Sequence, residues 1–159
     1  MQMTITLVPM DEAAFQSFLK QSTRDYAEEK VQAGAWDADT ALAQAQESMN
    51  RYLPQGLNTA GAYFYSVVED VSGTQAGYIW FNVTENRGVR EAFIYDIYIF
   101  EPFQGRGYGK QTLLLLDEEA RKLKAAKIGL HVFGHNERAF GLYRKMGFQV
   151  TDITMSKTL

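Results

Sequence analysis

Cysteine is absent from the 159-residue sequence, and histidine occurs only twice, as His131 and His135. The absence of cysteine excludes disulfide bridges, thiolate ligands for zinc and cysteine nucleophiles, and it suits a protein of the reducing cytoplasm. Two histidines without an HExxH pair argue against a metal-centred enzyme. We therefore expect a cytoplasmic protein that needs no metal ion.

Long apolar runs and dense basic runs are absent as well. The apolar stretches are far shorter than the ~20 residues that cross a bilayer. Residues 1–8 lack the basic and apolar regions of an export signal, and the acidic pair Asp11 and Glu12 follows soon after them. The net charge of −3 and the lack of Lys/Arg runs do not favour nucleic-acid binding. We expect neither a membrane nor a nucleic acid as partner.

The composition is that of a globular protein, and the charged residues are unevenly distributed along the chain. Apolar residues make up 46% and charged residues 22%, a balance typical of one folded domain. Residues 1–103 carry 14 acidic and 6 basic residues, whereas residues 104–159 carry 5 acidic and 10 basic residues. The C-terminal part is thus suited to a polyanionic ligand and the N-terminal part to a cation, unless the two parts interleave and their charges average out.

Hydrophobic periodicity and turn residues predict an α/β fold class with the order β-α-α-β-β-β-α-β-α-β, in which a mixed sheet has helices on both faces. Asp11 and Asn136 are predicted helix N-caps. The strand over residues 89–100 is apolar on both faces except at Asp96, as in a central strand. The predicted elements are strands over residues 4–10, 62–70, 77–84, 89–100, 127–133 and 148–157, and helices over residues 11–32, 38–53, 110–124 and 136–146.

A glycine-rich segment, residues 104–109, joins this central strand to the next helix. Its glycines at 105, 107 and 109 permit positive φ angles and close approach of a ligand to the backbone. The free N–H groups of the first helical turn and the positive end of the helix dipole favour a phosphate at this place.

Two familiar phosphate-binding patterns do not fit the segment. A dinucleotide fingerprint G-x-G-x-x-G that starts at Gly105 would need a third glycine where Lys110 stands. A P-loop that ends at Gly109 and Lys110 would need a glycine at Gln104 and a hydroxyl residue at Gln111. A tight turn with only a structural role is the other alternative.

Two motifs in the C-terminal part carry a family resemblance. Residues 104–109, QGRGYG, resemble the Q/R-x-x-G-x-G/A signature of the GNAT superfamily of acetyl-CoA-dependent N-acetyltransferases. Residues 136–148 look like the family's N-x-x-A-x-x-x-Y-x-K-x-G-F pattern, at the expected distance and in the expected order. The resemblance implies one GNAT domain over residues 1–159, with a mostly antiparallel central sheet, acetyl-CoA as acyl donor and an amine as acceptor.

The resemblance also implies roles for individual residues. Backbone amides of the glycine-rich segment would bind the pyrophosphate of CoA, and the strand before it would splay after a bulge and pair with pantetheine. Asn136 matches an asparagine that contacts the CoA arm, and Tyr143 matches a tyrosine near the cofactor sulfur. The implied cofactor-binding residues are Ile97, Tyr98, Ile99, Gln104, Gly105, Arg106, Gly107, Tyr108, Gly109, Lys110, Asn136 and Tyr143.

Three side chains are candidates for catalysis. A lysine-like amine is neutral in on the order of one molecule in a thousand at pH 7, so a base must remove a proton before attack. Glu91 is the first candidate base, because it lies where several GNAT enzymes carry a catalytic glutamate. Asp96 is the second, because burial of a carboxylate within an apolar strand costs free energy unless the group has a partner. Asp96 could act as a base through water, or it could be a structural hydrogen-bond acceptor. Tyr143 is the candidate general acid for the departing thiolate.

The acceptor is not identified by any motif. The acidic balance of residues 1–103 favours a cationic small-molecule or peptide amine, and some of the aromatic residues Tyr26, Trp36, Tyr52, Tyr63, Tyr65 and Trp80 could line its pocket. The alternative from another class is a catalytically silent sensor that binds acyl-CoA on the same fold. A homodimer is compatible with the sequence.

Overall fold

The computed structural model describes residues 2–159. The strands are β1 (Ile5–Pro9), β2 (Ala62–Glu69), β3 (Gln75–Asn86), β4 (Val89–Ile99) and β5 (Lys127–Leu130). The helices are α1 (Glu12–Gln32), α2 (Ala41–Tyr52), α3 (Tyr108–Lys122) and α4 (Glu137–Lys145), with short 3₁₀ turns at Gly56–Asn58 and Glu101–Phe103.

Local sequence signals account for where α1 and α4 begin. The carboxylate of Asp11 accepts a hydrogen bond of 2.8 Å from the backbone N–H of Ala14, and the side chain of Asn136 accepts one of 3.3 Å from that of Ala139. Both bonds satisfy an N–H group that has no partner within its helix. The two predicted N-caps are therefore confirmed.

The five strands form one sheet in the order β1-β2-β3-β4-β5. β1 to β4 pair antiparallel, and β5 pairs parallel with β4. The register between β3 and β4 shifts by one residue at Trp80. Trp80 lies opposite Asp96, whereas the next residue, Phe81, lies opposite Ile94. Tyr95 is therefore an extra residue in β4, the arrangement of a β-bulge.

Helices cover the sheet on both faces, as predicted. On one face, Phe15 and Phe18 of α1, Met49 of α2 and the α2 C-cap residue Leu53 pack against Trp80 and its neighbours. On the other face, α3 contributes Leu113, Leu116 and Ala120, and the half-buried side chains of Leu142 and Tyr143 of α4 and of its C-cap residue Met146 pack beside them. The sheet therefore has one side facing α1 and α2 and another side facing α3 and α4.

The predicted strand over residues 148–157 is wrong. Residues 149–159 have no regular secondary structure and are exposed throughout. β-branched residues such as Val150 and Ile153 suit a strand, but a strand also needs a neighbour whose backbone pairs with its N–H and C=O groups. The chain does not bring residues 149–159 beside such a neighbour. β5 also ends at Leu130, three residues before its predicted end.

No helix within residues 2–159 is long and apolar enough to cross a membrane.

Candidate active site

The glycine-rich segment connects the 3₁₀ turn after β4 to α3. Gly105 and Gly107 both have φ 80°, and Gly107 is the N-cap residue of α3. A residue without a Cβ atom adopts this left-handed conformation at little free-energy cost, which explains why both positions are glycine. Gly109 differs from the expectation, because it lies in the first turn of α3 with ordinary φ, and a Cβ atom there would meet Leu142 Cδ2 at 3.4 Å.

The segment presents unused backbone donors. Within residues 2–159, no N–H group of residues 105–110 donates a hydrogen bond to another protein group. A Cβ atom on Gly105 or Gly107 would have no neighbour from residues 2–159 within 4 Å, so the backbone at these two positions borders open space. Free N–H groups at the start of a 15-residue helix, with room before them, form a site that suits a phosphate group.

Side chains of the segment hold it to the end of β2 and to β4. Arg106 Nη1 lies 3.0 Å from Glu69 Oε2, and the Tyr108 hydroxyl donates a hydrogen bond to the same carboxylate. The hydrogen bond from Tyr108 is the main reason why the pKa of Glu69 is lowered, followed by one from Ser72, and Arg106 contributes less. The side-chain amide of Gln104 donates to the carbonyl of Ile99 at 2.8 Å. Three side chains of the segment therefore hold its backbone, while Lys110 is exposed at its end.

β4 has an open backbone edge next to the glycine-rich segment. Over residues 2–159, β5 pairs only with Glu91 to Ile94 of β4, and no other strand lies on that side of β4 beyond the bulge at Tyr95. Ile97, Tyr98 and Ile99 lie in this part. Their backbone groups on the open side are available to an extended ligand that approaches between β4 and β5.

A cavity of about 290 Å³ lies between α1, α2, β4 and the segment after β5. Its wall combines aromatic rings with carboxylates and contains few basic groups. The lining residues are Ser22, Asp25, Tyr26, Glu29, Lys30, Met49, Tyr52, Trp80, Phe93, Ile94, Tyr95, Asp96, His131 and Phe133. Of the aromatic residues considered from the sequence, Tyr26, Tyr52 and Trp80 line this cavity, whereas Tyr63 and Tyr65 stack on Phe81 in the core.

Among the residues that line the cavity, Asp96 has the pKa that is raised furthest above its ordinary value. Burial raises the pKa of its carboxyl to about 7, and the negative charges of Glu29 and Asp25 act in the same direction. The Ser22 hydroxyl donates a hydrogen bond of 2.5 Å to Asp96 Oδ2, which opposes the rise. Burial, and then the charge of Asp96, raise the pKa of the buried Tyr78 hydroxyl, which faces the Asp96 carboxyl and in turn opposes the rise in the pKa of Asp96. A carboxyl group with such a pKa can exchange protons near neutral pH.

Tyr143 lies on α4 at the other side of the sheet. Its ring packs edge-on against Phe148 with 5.7 Å between centroids. Burial raises the pKa of its hydroxyl to about 12, and the charges of Asp96 and Glu29 contribute further. Asn136 uses its side-chain oxygen as the N-cap of α4, which leaves its amide N–H groups free to donate.

Comparison with known proteins identifies the family. Residues 21–148 match the acetyltransferase (GNAT) family model. The chain belongs to this family. It is 41% identical to the Bacillus subtilis (strain 168) protein named uncharacterized N-acetyltransferase YycN over 157 residues, which are 99% of this chain and 100% of YycN. Uncharacterized N-acetyltransferase YdgE of the same organism is 35% identical over 99% of both chains. The crystal structure of YycN matches with a TM-score of 0.93 over 98% of this chain and 99% of that chain.

Within this GNAT acyltransferase, Glu91 lies apart from the cavity. Its carboxylate is 3.5 Å from Lys127 Nζ, and it contacts the β5 backbone, where a Cβ atom on Gly129 would meet Glu91 Oε2 at 3.1 Å. Glu91 is not among the residues that line the cavity. Along β4 it precedes Asp96 by a distance of roughly 15 Å. Of the two candidate bases, the cavity therefore contains Asp96.

Of the α1 residues that line the cavity of this acetyltransferase, sequence reasoning identified only Tyr26 and missed the polar ones. Ser22, Asp25, Tyr26, Glu29 and Lys30 all line the cavity. Their spacing of three or four residues puts them on one face of the helix. This polar and aromatic stripe was visible in the sequence, since most of its residues lie among the apolar positions expected to pack against the sheet.

Proposed function

We propose that this acetyltransferase moves an acetyl group from acetyl-CoA to the primary amine of a cationic acceptor by direct attack. The observation that carries the proposal is the Asp96 carboxyl, whose pKa is raised to about 7 at the wall of the aromatic and acidic cavity. A base with this pKa is about half ionised at neutral pH and can take a proton from an ammonium group there.

The donor side of the proposal rests on the glycine-rich segment and the open edge of β4. Free amides at residues 105–110 suit the pyrophosphate of CoA, and the backbone of Ile97 to Ile99 suits the amide groups of pantetheine. A donor bound in this way extends along β4 toward the bulge at Tyr95, and the neighbouring Asp96 faces the acceptor cavity. The thioester would then lie between the cavity and Tyr143.

The acceptor nitrogen loses two protons in the proposed reaction, and the departing thiolate gains one. Asp96 takes one proton from the acceptor ammonium, and the neutral amine attacks the thioester carbonyl, so that a C–N bond forms while the C–S bond breaks. Free N–H groups at the open edge of β4 polarise the carbonyl oxygen. The second amine proton leaves to solvent as the amide forms, and Tyr143 gives its proton to the CoA thiolate. Solvent then returns a proton to Tyr143 and takes up the proton held by Asp96, so one proton is released overall.

The acidity of Tyr143 defines what it can contribute. With a pKa of about 12, the hydroxyl stays protonated at neutral pH and is always available as a donor. Proton transfer to a thiolate, whose thiol has a pKa of ~8.5, is therefore uphill by roughly 3.5 pK units. A hydrogen bond to the developing charge on sulfur stabilises the departing thiolate before the proton moves.

The acceptor class follows from the charge and aromatic character of the cavity. Burial raises the pKa values of Asp25 and Glu29, and neither carboxylate forms an ion pair within the described chain. A cationic acceptor would supply the missing counter-charge and would contact the faces of rings such as Tyr26. The ammonium of Lys30 already lies 5.4 Å from the Trp36 ring centroid and 5.6 Å from that of Tyr26, which illustrates this kind of contact.

A panel of amines tests the proposal. The purified protein is mixed with acetyl-CoA and with diamines, amino acid amides, peptides that carry lysine, and neutral or anionic amines, and thiol release is followed. We expect turnover with cationic acceptors that retain a second positive charge. Tight binding of acetyl-CoA without thiol release from any amine would favour the silent sensor instead, and preference for an anionic amine would contradict the acceptor class.

A further inference from the structure

Three aromatic rings surround the ammonium group of Lys30, a residue that lines the acceptor cavity. Lys30 Nζ lies 5.4 Å from the ring centroid of Trp36 and 5.6 Å from that of Tyr26. The ring centroid of Phe133 is 6.0 Å from the same atom. We call these three rings the aromatic cage. Because ring faces attract a cation within about 6 Å of their centroids, the cage is a cation site that a side chain of the protein itself fills.

The aromatic cage is built from three separate parts of the chain. Tyr26 is on α1, one helical turn before Lys30, and Phe133 comes from the segment after β5. Trp36 lies in the connection between α1 and α2, and its backbone N–H donates a hydrogen bond of 3.3 Å to the carbonyl of Lys30. The rings of Tyr26 and Trp36 are 5.4 Å apart at an angle of 80°. Backbone bonds and ring packing, and not only the lysine ammonium, therefore hold the rings in place.

The cage keeps the Lys30 ammonium away from the carboxylates of the cavity. Asp25 and Glu29 line the same cavity, yet Lys30 forms no ion pair with a carboxylate of residues 2–159. Both carboxylates are therefore left for a ligand. The ammonium can also leave the cage, because Lys30 is half-buried in the last turn of α1, where the negative end of the helix dipole stabilises a positive charge.

We propose that the aromatic cage binds a second ammonium group of the acceptor, and that Lys30 fills the cage only in the absence of the acceptor. The inference rests on the proposed function and adds the place of the acceptor's second cation. When the lysine side chain swings toward the end of α1, the acceptor ammonium lies against the same three ring faces. Alkylated ammonium groups suit such a cage, because their methyl groups contact the rings.

The position of the cage determines how far apart the two nitrogen atoms of the acceptor are. Ser22, which donates a hydrogen bond to Asp96, precedes Lys30 on α1 by a distance of roughly 12 Å along the helix axis. The side chain of Lys30 points back toward Tyr26, so the cage is nearer to Asp96 than the Lys30 backbone is. An acceptor that reaches both places has its nitrogen atoms joined by a chain of several atoms, as in a long alkyl diamine.

Binding of tetramethylammonium provides the first test, followed by NMR through the methyl proton signal of the ion. Aromatic ring currents shift this signal upfield above a ring face, which attraction by carboxylates alone does not do. Lys30→Met empties the cage and keeps an apolar stem, so it should bind the ion about fivefold more tightly than the parent. Lys20→Met, which removes an exposed lysine of the same helix, is the matched control and should bind like the parent. Absence of an upfield shift in Lys30→Met, or an affinity equal to that of the parent, would overturn the proposal.

Removal of a ring separates the cage from a simple charge effect, since Lys30→Met also removes a positive charge that repels cations. In a Trp36→Leu background and in a Phe133→Leu background, the gain from Lys30→Met should fall below about twofold. Two ring variants are compared because Trp36 also packs beside Ala41 and Ala45, and melting curves show which variants are folded. A gain that persists in either folded background would mean that lost repulsion is responsible, which contradicts the proposal.

Turnover provides a test that depends on the proposed function, whereas the titrations contain no acetyl-CoA. Lys30→Met should lower KM for hexamethylenediamine by about threefold or more and leave KM for hexylamine within about twofold of the parent. If cationic amines react but the titrations show no cage binding, the inference alone is wrong. If the titrations succeed and no amine releases thiol, the proposed function is wrong, and with it the assignment of the cage to an acceptor.

Discussion

The hydroxyl of Ser22 donates a hydrogen bond of 2.5 Å to the carboxylate of Asp96, a residue 74 positions away in the sequence. This bond stabilises the ionised form of a carboxyl group whose pKa burial raises to about 7. The charged groups that face Asp96 from α1 are Asp25 and Glu29, which both raise its pKa further. Ser22 is therefore a positioning residue that keeps Asp96 ionised at lower pH than its surroundings alone would allow.

Removal of the Ser22 hydroxyl is predicted to shift the pH dependence of the reaction. If Asp96 is the base, its ionised form is active, so the rate rises as the pH increases through its pKa. Ser22→Ala removes a donor to the carboxylate and should move this rise upward by about one pH unit. Ser48→Ala removes another buried serine hydroxyl, one that donates to the Gln44 carbonyl, and should leave the profile in place. If the pH–rate profiles of the parent and Ser22→Ala coincide, the role of Asp96 as base is contradicted.

Substitution of the two candidate bases should separate them. Asp96→Asn keeps the shape of the side chain and can still accept the hydrogen bond from Ser22, but its amide cannot take a proton. We expect kcat to fall by about 100-fold or more. Glu91→Gln, which removes only the partner of Lys127, should retain kcat within about threefold. The opposite ranking of the two variants would assign the base to Glu91.

Tyr143→Phe tests the contribution of the phenol to the departing thiolate. The ring and its packing against Phe148 remain, so the melting temperature and the affinity for acetyl-CoA should change little. General acid contributions of ~100-fold to ~10,000-fold set the scale of the expected decrease in kcat. Tyr63→Phe, whose ring stacks on Phe81, controls for loss of a hydroxyl elsewhere in the core. If kcat is within about threefold of the parent while chemistry limits turnover, Tyr143 has only a packing role.

Bulk at Gly107 should weaken donor binding. Gly107→Val strains a residue at φ 80° and places methyl groups in the open space before the free amides, so affinity for acetyl-CoA should fall by more than tenfold. Gly88→Val provides the matched control, because Gly88 has φ 79°, an equally open Cβ position and a place in the turn between β3 and β4. Calorimetric titration of both folded variants measures the difference. An equal loss in both would mean that backbone strain alone, rather than blocked access, is responsible.

Neutralisation of Glu29 should weaken binding of a cationic acceptor. Glu29 lines the cavity, and its pKa is raised mainly by burial, whereas the adjacent Glu28 is exposed on the same helix. Glu29→Gln is expected to raise KM for the best cationic amine by about tenfold with a smaller effect on kcat, and added salt should reduce the difference. Glu28→Gln should leave KM nearly unchanged. Equal KM values for parent and Glu29→Gln would remove this carboxylate from acceptor recognition.

Features that depend on a few neighbouring residues could be predicted from the sequence. The N-caps Asp11 and Asn136 are examples, because the capping bond joins residues three positions apart. The two GNAT motifs likewise indicate the family, since their chemistry depends on a loop and the first turn of a helix. Gly109 shows the limit even here, because the glycine pattern alone does not reveal which of the glycines adopts a positive φ.

Features that depend on partners far apart in the sequence could not be predicted. Nothing near Asp96 in the sequence indicates that Ser22 of α1 meets it, because that contact requires the packing of α1 on the sheet. The strand expected over residues 148–157 failed for a related reason. Its residues have strand propensity, but propensity does not supply the neighbouring backbone on which a strand depends.

The extra residue at Tyr95 also changes the parity of β4. Before it, the even-numbered Ala92 and Ile94 pack in the core on the α3 side. After it, the odd-numbered Ile97 packs on that side, and the even-numbered Tyr98 packs on the α1 side. Strict alternation would place a carboxylate at position 96 in the apolar core under α3, far from any acceptor. The bulge therefore turns the reactive carboxyl group toward the cavity on the α1 side. If the same residues paired with β3 without a bulge, that carboxyl group would exchange places with core side chains although no residue of the catalytic machinery had itself been substituted.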